Sequence, residues 1–337
     1  MTEPPADQYR DPAAIAECTR VAGRVLARHG IDLWAAHRGG GWSNVTWLAE
    51  GLVLRIAIEP GSGRLLREAR LASILPPEAG YPSIVDAGVT GGLDWVLSTK
   101  IEGRNLGEVW PTLGWEDRAI ALRALWDRAG AIHSVDPTLA STLVDDRPRF
   151  YAPGPAEAAA QLGRLQEAGV LAASQVEVLS NTLDRFWAVL SLAPRVLNHG
   201  DLCTENALWN DGKVVALLDL EYAVLAPVEL DLNEVVKVPY APPERPDPHP
   251  DPGGSGQGRL RQVVNEIASD TISTPGGADR LLGYALLLDM WMMENELSTW
   301  DGREPWETLA PFRALTWLAD GRGGYLAPLL ARLGWLG

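Results

Sequence analysis

The stretch Asn198-His199-Gly200-Asp201-Leu202-Cys203-Thr204-Glu205-Asn206 runs straight into the apolar Ala207-Leu208-Trp209, and an apolar run beginning at Val196 precedes it. Eighteen residues after Asp201, the apolar stretch 214–218 ends in Asp219-Leu220-Glu221. Short apolar runs separated by turn residues, here Asp211-Gly212, read as strands. A short loop then carries Asp201 and Asn206 on one rim, and a neighbouring strand end supplies Asp219 beside them. Two carboxylates and an amide oxygen are hard donors of the kind Mg²⁺ accepts while it shares its other positions with water and phosphate oxygens. A further carboxylate beside such an ion can orient a hydroxyl and take its proton. Asp and Asn also favour ordinary turns, but three of them at this spacing between apolar strands exceed what turn chemistry asks for.

The segments around this core divide the chain. Asp11 can cap a helix with Pro12 in its first turn, Ile15, Val21, Val25 and Leu26 form its apolar stripe, and Gly30 ends it. Residues 46–48 and 52–58 read as a hairpin around Ala49-Glu50-Gly51, residues 64–75 as a helix closed by Pro76-Pro77, and residues 84–89 and 95–101 as two more strands around Gly91-Gly92. After Glu102-Gly103-Arg104-Asn105 the pattern turns helical: 115–135, then helices within 156–168 and 175–192, and closing helices that include 279–297 and 306–318. Residues 239–258 are dense in Pro, Gly and Asp and read as a surface loop or insertion. The expected organisation is α+β and bilobal: residues 1–101 a small sheet lobe with a leading helix and one inserted helix, 102–106 a hinge, and 107–337 a larger, mainly helical lobe.

Composition excludes several partners. The 337 residues carry 29 Lys and Arg against 44 Asp and Glu, a net charge of −15. That leaves no basic excess to displace counterions from nucleic acid, whereas cationic small molecules would be attracted to an acidic cleft. Two cysteines, Cys18 and Cys203, make neither a disulfide framework nor a cysteine metal site and suit a reducing cytoplasm. The polar, acidic N-terminus is unlike a signal peptide, and no apolar run is long enough to span a membrane.

His-Gly-Asp, four residues, Asn, then Asp-x-Glu on the next strand resembles the aminoglycoside phosphotransferase and choline kinase group, small-molecule kinases on a protein-kinase-like fold. The resemblance covers residues 38–233. It implies Asp201 as catalytic base, Asn206 and Asp219 as Mg²⁺ ligands, and supporting positions for His199 and for Asp231 in the later Asp-Leu. It also implies a nucleotide-covering loop at Arg38-Gly39-Gly40-Gly41-Trp42-Ser43-Asn44, where Gly40, Gly41, Ser43 and Asn44 could offer donors to phosphate. Arg55 falls where kinases carry a phosphate-pairing Lys, Glu68 is placed to pair with it from the inserted helix, and residues 97–101, with Leu97 and Thr99, match the hinge that would hold the purine. Cys203, Thr204 and Glu205 depart from the family's usual residues before the Asn. Glu205 either meets substrate or faces solvent.

Few residues separate Asp219 from Asp231, which leaves little room to cradle a polypeptide, so the acceptor is expected to be small. The helix 281–297 is apolar nearly all round, so it should be buried, yet Asp289 and Glu294 interrupt it. In the family that the chain resembles, acidic residues on helices of this lobe bind amine groups of the acceptor, so by that resemblance these two, with Trp291, are candidate acceptor contacts; the competing explanations are a helix end reaching solvent and core packing of Trp. The function expected is Mg²⁺-dependent transfer of phosphate from ATP or GTP to a hydroxylated small molecule, an aminoglycoside or aminosugar-like cation. The alternatives are another metabolite (amino alcohol, sugar or amino acid) and a non-catalytic nucleotide-binding regulator. Oligomeric state is not legible.

Overall fold

A computed structural model describes residues 11–40, 44–144, 148–243, 255–272, 274–300 and 305–335. Helix α1 (Pro12–Arg28) starts at Asp11, whose carboxylate accepts from Ala13 N–H at 2.9 Å. Its stripe of Val21, Ala22, Val25 and Leu26 is buried. Strands β1 (His37–Arg38), β2 (Asn44–Ala49) and β3 (Leu52–Ala57) follow, then α2 (Arg64–Ala72), β4 (Ile84–Thr90) and β5 (Leu93–Thr99). The five strands form one antiparallel sheet in the order β1-β2-β3-β5-β4. Strand alternation assigns its two faces. Leu54, Ile56, Trp95 and Leu97 pack with α1, whereas Ala57 and Val96 pack with Leu65 of α2.

Strand β6 (Arg104–Asn105) lies within the expected hinge and pairs with the catalytic hairpin, so the connection is tied down rather than free. Beyond it come α3 (Leu106–Val109), α4 (Trp115–His133), α5 (Pro137–Ala140), α6 (Pro155–Glu167) and α7 (Ala173–Val189). Then follow β7 (Val196–Asn198), β8 (Ala207–Asn210), β9 (Lys213–Leu217) and β10 (Val224–Ala226), and the chain closes with α8 (Glu229–Tyr240), α9 (Ser255–Thr271), α10 (Gly277–Thr299), α11 (Ala310–Leu318) and α12 (Ala327–Arg332). β8 and β9 form the hairpin expected at Asp211-Gly212, but β7 pairs with β10 instead of joining them. The mixed α+β architecture, with a small sheet lobe and a larger helical lobe, is the one expected.

The expected loop 239–258 is shorter than its composition suggests. Pro239 and Tyr240 complete the last turn of α8, and residues 255–258 open α9. Pro239 and Tyr240 are buried, and the Pro239 carbonyl accepts from the Arg261 and Gln257 side chains, so tertiary bonds compensate at a helix end that proline would otherwise disturb. Residues 244–254 lie outside the described residues. Among those described, no helix is long and apolar enough to cross a membrane.

Candidate active site

β7 leads into a loop held by both backbone and side-chain donors. Asn198 bonds the carbonyls of Val196 and Ala226, closing the β7–β10 pair. Asp231, at the start of α8, accepts from His199 N–H at 2.8 Å and from Gly200 N–H at 3.0 Å. His133 of α4 reaches the same carboxylate at 2.9 Å through Nε2. Burial works to raise the Asp231 carboxyl, but His133 and these bonds outweigh it and hold it below the usual carboxylate range. His199 Nε2 lies 2.9 Å from the Leu218 carbonyl, which fastens the loop to the approach of Asp219. Gly200 has φ +83° and a Cβ there would stand 2.1 Å from the Tyr222 carbonyl oxygen, so only glycine fits. His133, the last residue of α4, is thus a second anchor for Asp231.

Asp201 and Asn206 meet within this loop. Asn206 Nδ2 donates to the Asp201 carbonyl and to its Oδ2, each at 2.9 Å. The β8–β9 register pairs Ala207 with Leu217, and Leu218 N–H donates to the Asn206 carbonyl at 2.8 Å. Asp219 therefore begins one residue beyond Asn206's backbone partner. It has φ +63°, a strained conformation for a residue with a Cβ, of the kind that accumulates at functional sites. Burial, with the Asp219 charge adding to it, pushes the Asp201 carboxyl up against the opposing effects of His199 and Asn206. With its amide nitrogen turned to Asp201, Asn206 has its oxygen left for another partner. Among the described residues no cluster of three or more His, Cys, Asp and Glu side chains could hold a metal. The pair Asn206 and Asp219 fits instead the sparse oxygen donor set of Mg²⁺.

A second chain of contacts joins the lobes. Arg55 of β3 places Nη1 2.5 Å from Glu68 Oε1 and Nη2 3.2 Å from Asp219 Oδ1. Glu68, on α2, also accepts from the Tyr81 hydroxyl. Arg67 of α2 donates to the Glu221 carbonyl at 3.2 Å. The expected Arg55–Glu68 pair is thus present. Its extension to Asp219 was not foreseen, nor were Tyr81 and Arg67, because none of these contacts follows from sequence spacing.

The other expected residues are distributed unevenly. Gly40 follows β1, and Asn44 opens β2 and is buried. Gly41 and Ser43 lie outside the described residues. Leu97 requires correction as a side-chain contact for nucleotide: it is fully buried on the α1 face, opposite to the face that carries Arg55. Thr99 Oγ1 accepts from Ser83 N–H at 3.1 Å and caps the strand end. Glu205 leans over Gly107 and accepts from its neighbour Thr204. Asp289 is buried with both oxygens taken, one by Lys237 Nζ at 2.5 Å and the other by Tyr325 Oη at 2.8 Å. As a direct acceptor contact it is therefore corrected to a structural post between α8, α10 and the 324–326 turn. Glu294 is likewise corrected, since Arg164 at 2.7 Å and Gln161 at 2.8 Å hold it against α6. Trp291 is half-buried and packs edge-on against Phe150.

Sequence reading missed Glu234. One turn beyond Asp231 on α8, it accepts from Tyr151 Oη at 3.4 Å and forms no ion pair among the described residues. Burial raises it, with Lys237 opposing and the Asp201, Asp231 and Asp289 charges reinforcing, to about 7. The signal available in the sequence was its three-residue spacing from Asp231, which puts both on one helix face.

A small antiparallel sheet carrying a part-buried Arg–Glu pair, joined to a helical lobe in which the loop of Asp201 and Asn206 is bonded to the approach of Asp219, has the frame of a kinase-like phosphotransferase. The sequence model of the phosphotransferase enzyme family (APH) matches residues 34–251, more than half of the chain, and the protein belongs to that family. It is an enzyme that transfers phosphate to hydroxyl groups of small molecules. Among solved structures, the GDP complex of wild-type aminoglycoside 2'-phosphotransferase-IIIa is similar at TM-score 0.56 and 16% identity, over 88% of this chain and 90% of that one. The macrolide 2'-phosphotransferase MphH from Brachybacterium faecium is similar at TM-score 0.55 and 20% identity, over 88% and 98%. The ternary complex of a thermostable aminoglycoside phosphotransferase APH(4)-Ia mutant with AMP-PNP and hygromycin B gives 0.53 and 15%, over 89% and 94%. At these identities the likeness is one of fold. A search of curated proteins found no match.

Proposed function

We propose that this protein transfers the γ-phosphoryl group of ATP or GTP to a hydroxyl of an amine-bearing small molecule, with Asp201 as the base. The observation that carries the reading is the Asp201–Asn206 hydrogen bond beside Asp219, itself tied to Arg55. Asp201 holds the acceptor hydroxyl and takes its proton as the oxygen bonds to phosphorus. The bond from that phosphorus to the β-phosphate oxygen breaks, leaving a phosphate ester and a nucleoside diphosphate. Asn206 orients Asp201 and keeps its own oxygen available. Asn206 and Asp219 would hold Mg²⁺, which when bound neutralises and aligns phosphate oxygens. Arg55, steadied by Glu68, meets phosphate with a planar fork suited to two oxygens. The rate gain comes from positioning and charge stabilisation. The nucleotides and amine antibiotics named for the similar structures agree with this chemistry, and a cytoplasmic site of action belongs to the same reading.

The test is nucleotide consumption with Mg²⁺ and ATP or GTP, against pooled aminosugars, amino alcohols, macrolides and neutral sugars, for wild type and Asp201→Asn. Acceptor-dependent turnover that falls at least about a hundredfold in the variant, with nucleotide still bound, supports the reading. Turnover unchanged in Asp201→Asn removes the proposed base. Nucleotide bound with no acceptor phosphorylated favours a regulator.

A further inference from the structure

Residues 149–151 lie against both acidic arms of the site. At one end the Tyr151 hydroxyl donates to Glu234 at 3.4 Å, on the helix whose Asp231 grips the loop of Asp201. Burial holds the Glu234 carboxyl up against Lys237, and the Asp201 charge adds to it. At the other end Phe150 packs edge-on against the Tyr222 ring at 4.9 Å, and the Arg149 guanidinium lies over the same ring at 5.4 Å. Tyr222 follows Asp219 by three residues, and its carbonyl oxygen lies where a Cβ on Gly200, the residue before Asp201, would meet it at 2.1 Å. Burial raises the Tyr222 hydroxyl, with Glu221 and then Asp219 adding to it against Arg149. One aromatic ring therefore separates the Arg149 cation from the catalytic loop and from the segment that carries Asp219.

The cations around the site are committed unequally. Arg55 is shared by Glu68 and Asp219, Lys237 is paired with Asp289, and Arg67 donates to the Glu221 carbonyl. Arg149 is exposed, and its side chain forms no ion pair or hydrogen bond among the described residues; the face of Tyr222 is what holds it. A cation–π contact at an exposed position is weaker than a charge-assisted hydrogen bond to a phosphate oxygen. An arriving phosphoryl group therefore draws this guanidinium off its ring. The site also calls for such a cation: Asp201, Asp219 and Glu234 bring negative charge to the place of transfer, and phosphoryl transfer is accelerated by cations held where charge develops.

We propose that Arg149 is a further catalytic residue, a guanidinium that rests on Tyr222 in the empty protein and donates to the equatorial oxygens of the phosphoryl group during its transfer. This rests on the phosphotransferase reading, which supplies the reacting phosphorus. As the acceptor oxygen bonds to that phosphorus, its proton passes to Asp201 and the bond to the β-phosphate oxygen breaks. Arg149 neither gives nor takes a proton. It pairs with the charge then spread over the three equatorial oxygens, and its planar fork can meet two of them at once. Arg55 comes from the sheet lobe and Arg149 from the helical lobe, so each lobe contributes one guanidinium. An interaction made chiefly in the transition state raises turnover and leaves the affinity for nucleotide alone almost unchanged.

Calorimetric titration of the full chain with ADP or GDP and Mg²⁺, with and without aluminium fluoride, tests this before the acceptor is known. Aluminium fluoride beside the diphosphate has the shape and charge of a phosphoryl group in transfer. Wild type is expected to bind the diphosphate at least about tenfold more tightly when aluminium fluoride is present. Arg149→Met should keep the affinity for the diphosphate alone and lose most of that gain, and Arg149→Lys should retain part of it. Tyr222→Leu, which removes the resting place but not the cation, should also retain part. Melting curves check that the variants are folded. No gain in wild type, a gain unchanged in Arg149→Met, or diphosphate affinity falling there as far as that of the aluminium fluoride complex overturns the proposal. A loss in Tyr222→Leu as complete as in Arg149→Met overturns it too, since Arg149 would then be a support for the ring. Neither diphosphate binding to wild type removes the phosphotransferase reading, and the role of Arg149 with it.

Discussion

Arg55 and Asp219 are joined across the two lobes by an ion pair of 3.2 Å, and the same guanidinium holds Glu68 at 2.5 Å. A lysine could not do both with comparable geometry, since its ammonium is a point charge without a fork. The α2 side of the sheet and the candidate metal-binding segment therefore share one cation, which Tyr81 steadies through Glu68.

Replacing Arg55 with Met should raise the nucleotide KM by about tenfold or more, the worth of a charge-assisted hydrogen bond to phosphate. Arg55→Lys should restore part of that affinity. Tyr81→Phe should leave the pair in place and change KM by less than Arg55→Met does. Steady-state kinetics at varied nucleotide give the order.

Asp231→Ala should lower unfolding free energy by about 3–5 kcal/mol, because it strands buried partners of a charged group. The Asp231 carboxyl is depressed in the folded state. Its contribution is thus fully present above the unfolded value of about 3.9 and is lost as pH falls through the folded one. Urea midpoints of wild type and variant should differ widely at pH 7 and converge as the pH is taken below about 4.

Gly200→Ala should cost about 3 kcal/mol or more, since the added methyl meets the Tyr222 carbonyl in a left-handed backbone. Gly212 also has positive φ, at +76°, but nothing lies within 4 Å of its Cβ position. Gly212→Asn should stay within about 1 kcal/mol of wild type, as Asn tolerates that conformation. Thermal melts of the two proteins separate backbone strain from steric clash.

Arg280 and Glu229 form a buried pair at 2.8 Å, and Arg280 also bonds the Pro275 carbonyl and Thr274. Arg280→Met alone should destabilise by about 3–5 kcal/mol by leaving Glu229 buried and uncompensated. Glu229→Gln combined with Arg280→Met should recover part of that loss, a coupling that chemical denaturation of the three variants measures.

Local information made the centre of this protein legible. Asp201, Asn206 and Asp219 are reported by short spacing between apolar strands, and the sheet lobe by alternation and turn residues. α1 was bounded by Asp11, Pro12 and Gly30, which act on backbone donors and dihedrals within one turn. Leu97 was misplaced because a fully buried strand has no polar alternation to say which face looks at the site; all residues of β5 but the last are buried.

Only the folded chain decided the fate of the acidic residues in the helical lobe. Sequence alone shows an acid interrupting an apolar helix, and helical period shows that Asp289 should be buried. Its partner, Lys237, lies 52 positions away on another helix. A carboxylate's availability depends on which cation reaches it through space, so Asp289 and Glu294 became structural while Glu234, unremarkable in the sequence, meets the Tyr151 hydroxyl and forms no ion pair among the described residues. Motifs set by bonded neighbours are written in the chain; charge pairing is written in the packing of helices that the chain brings together from far apart.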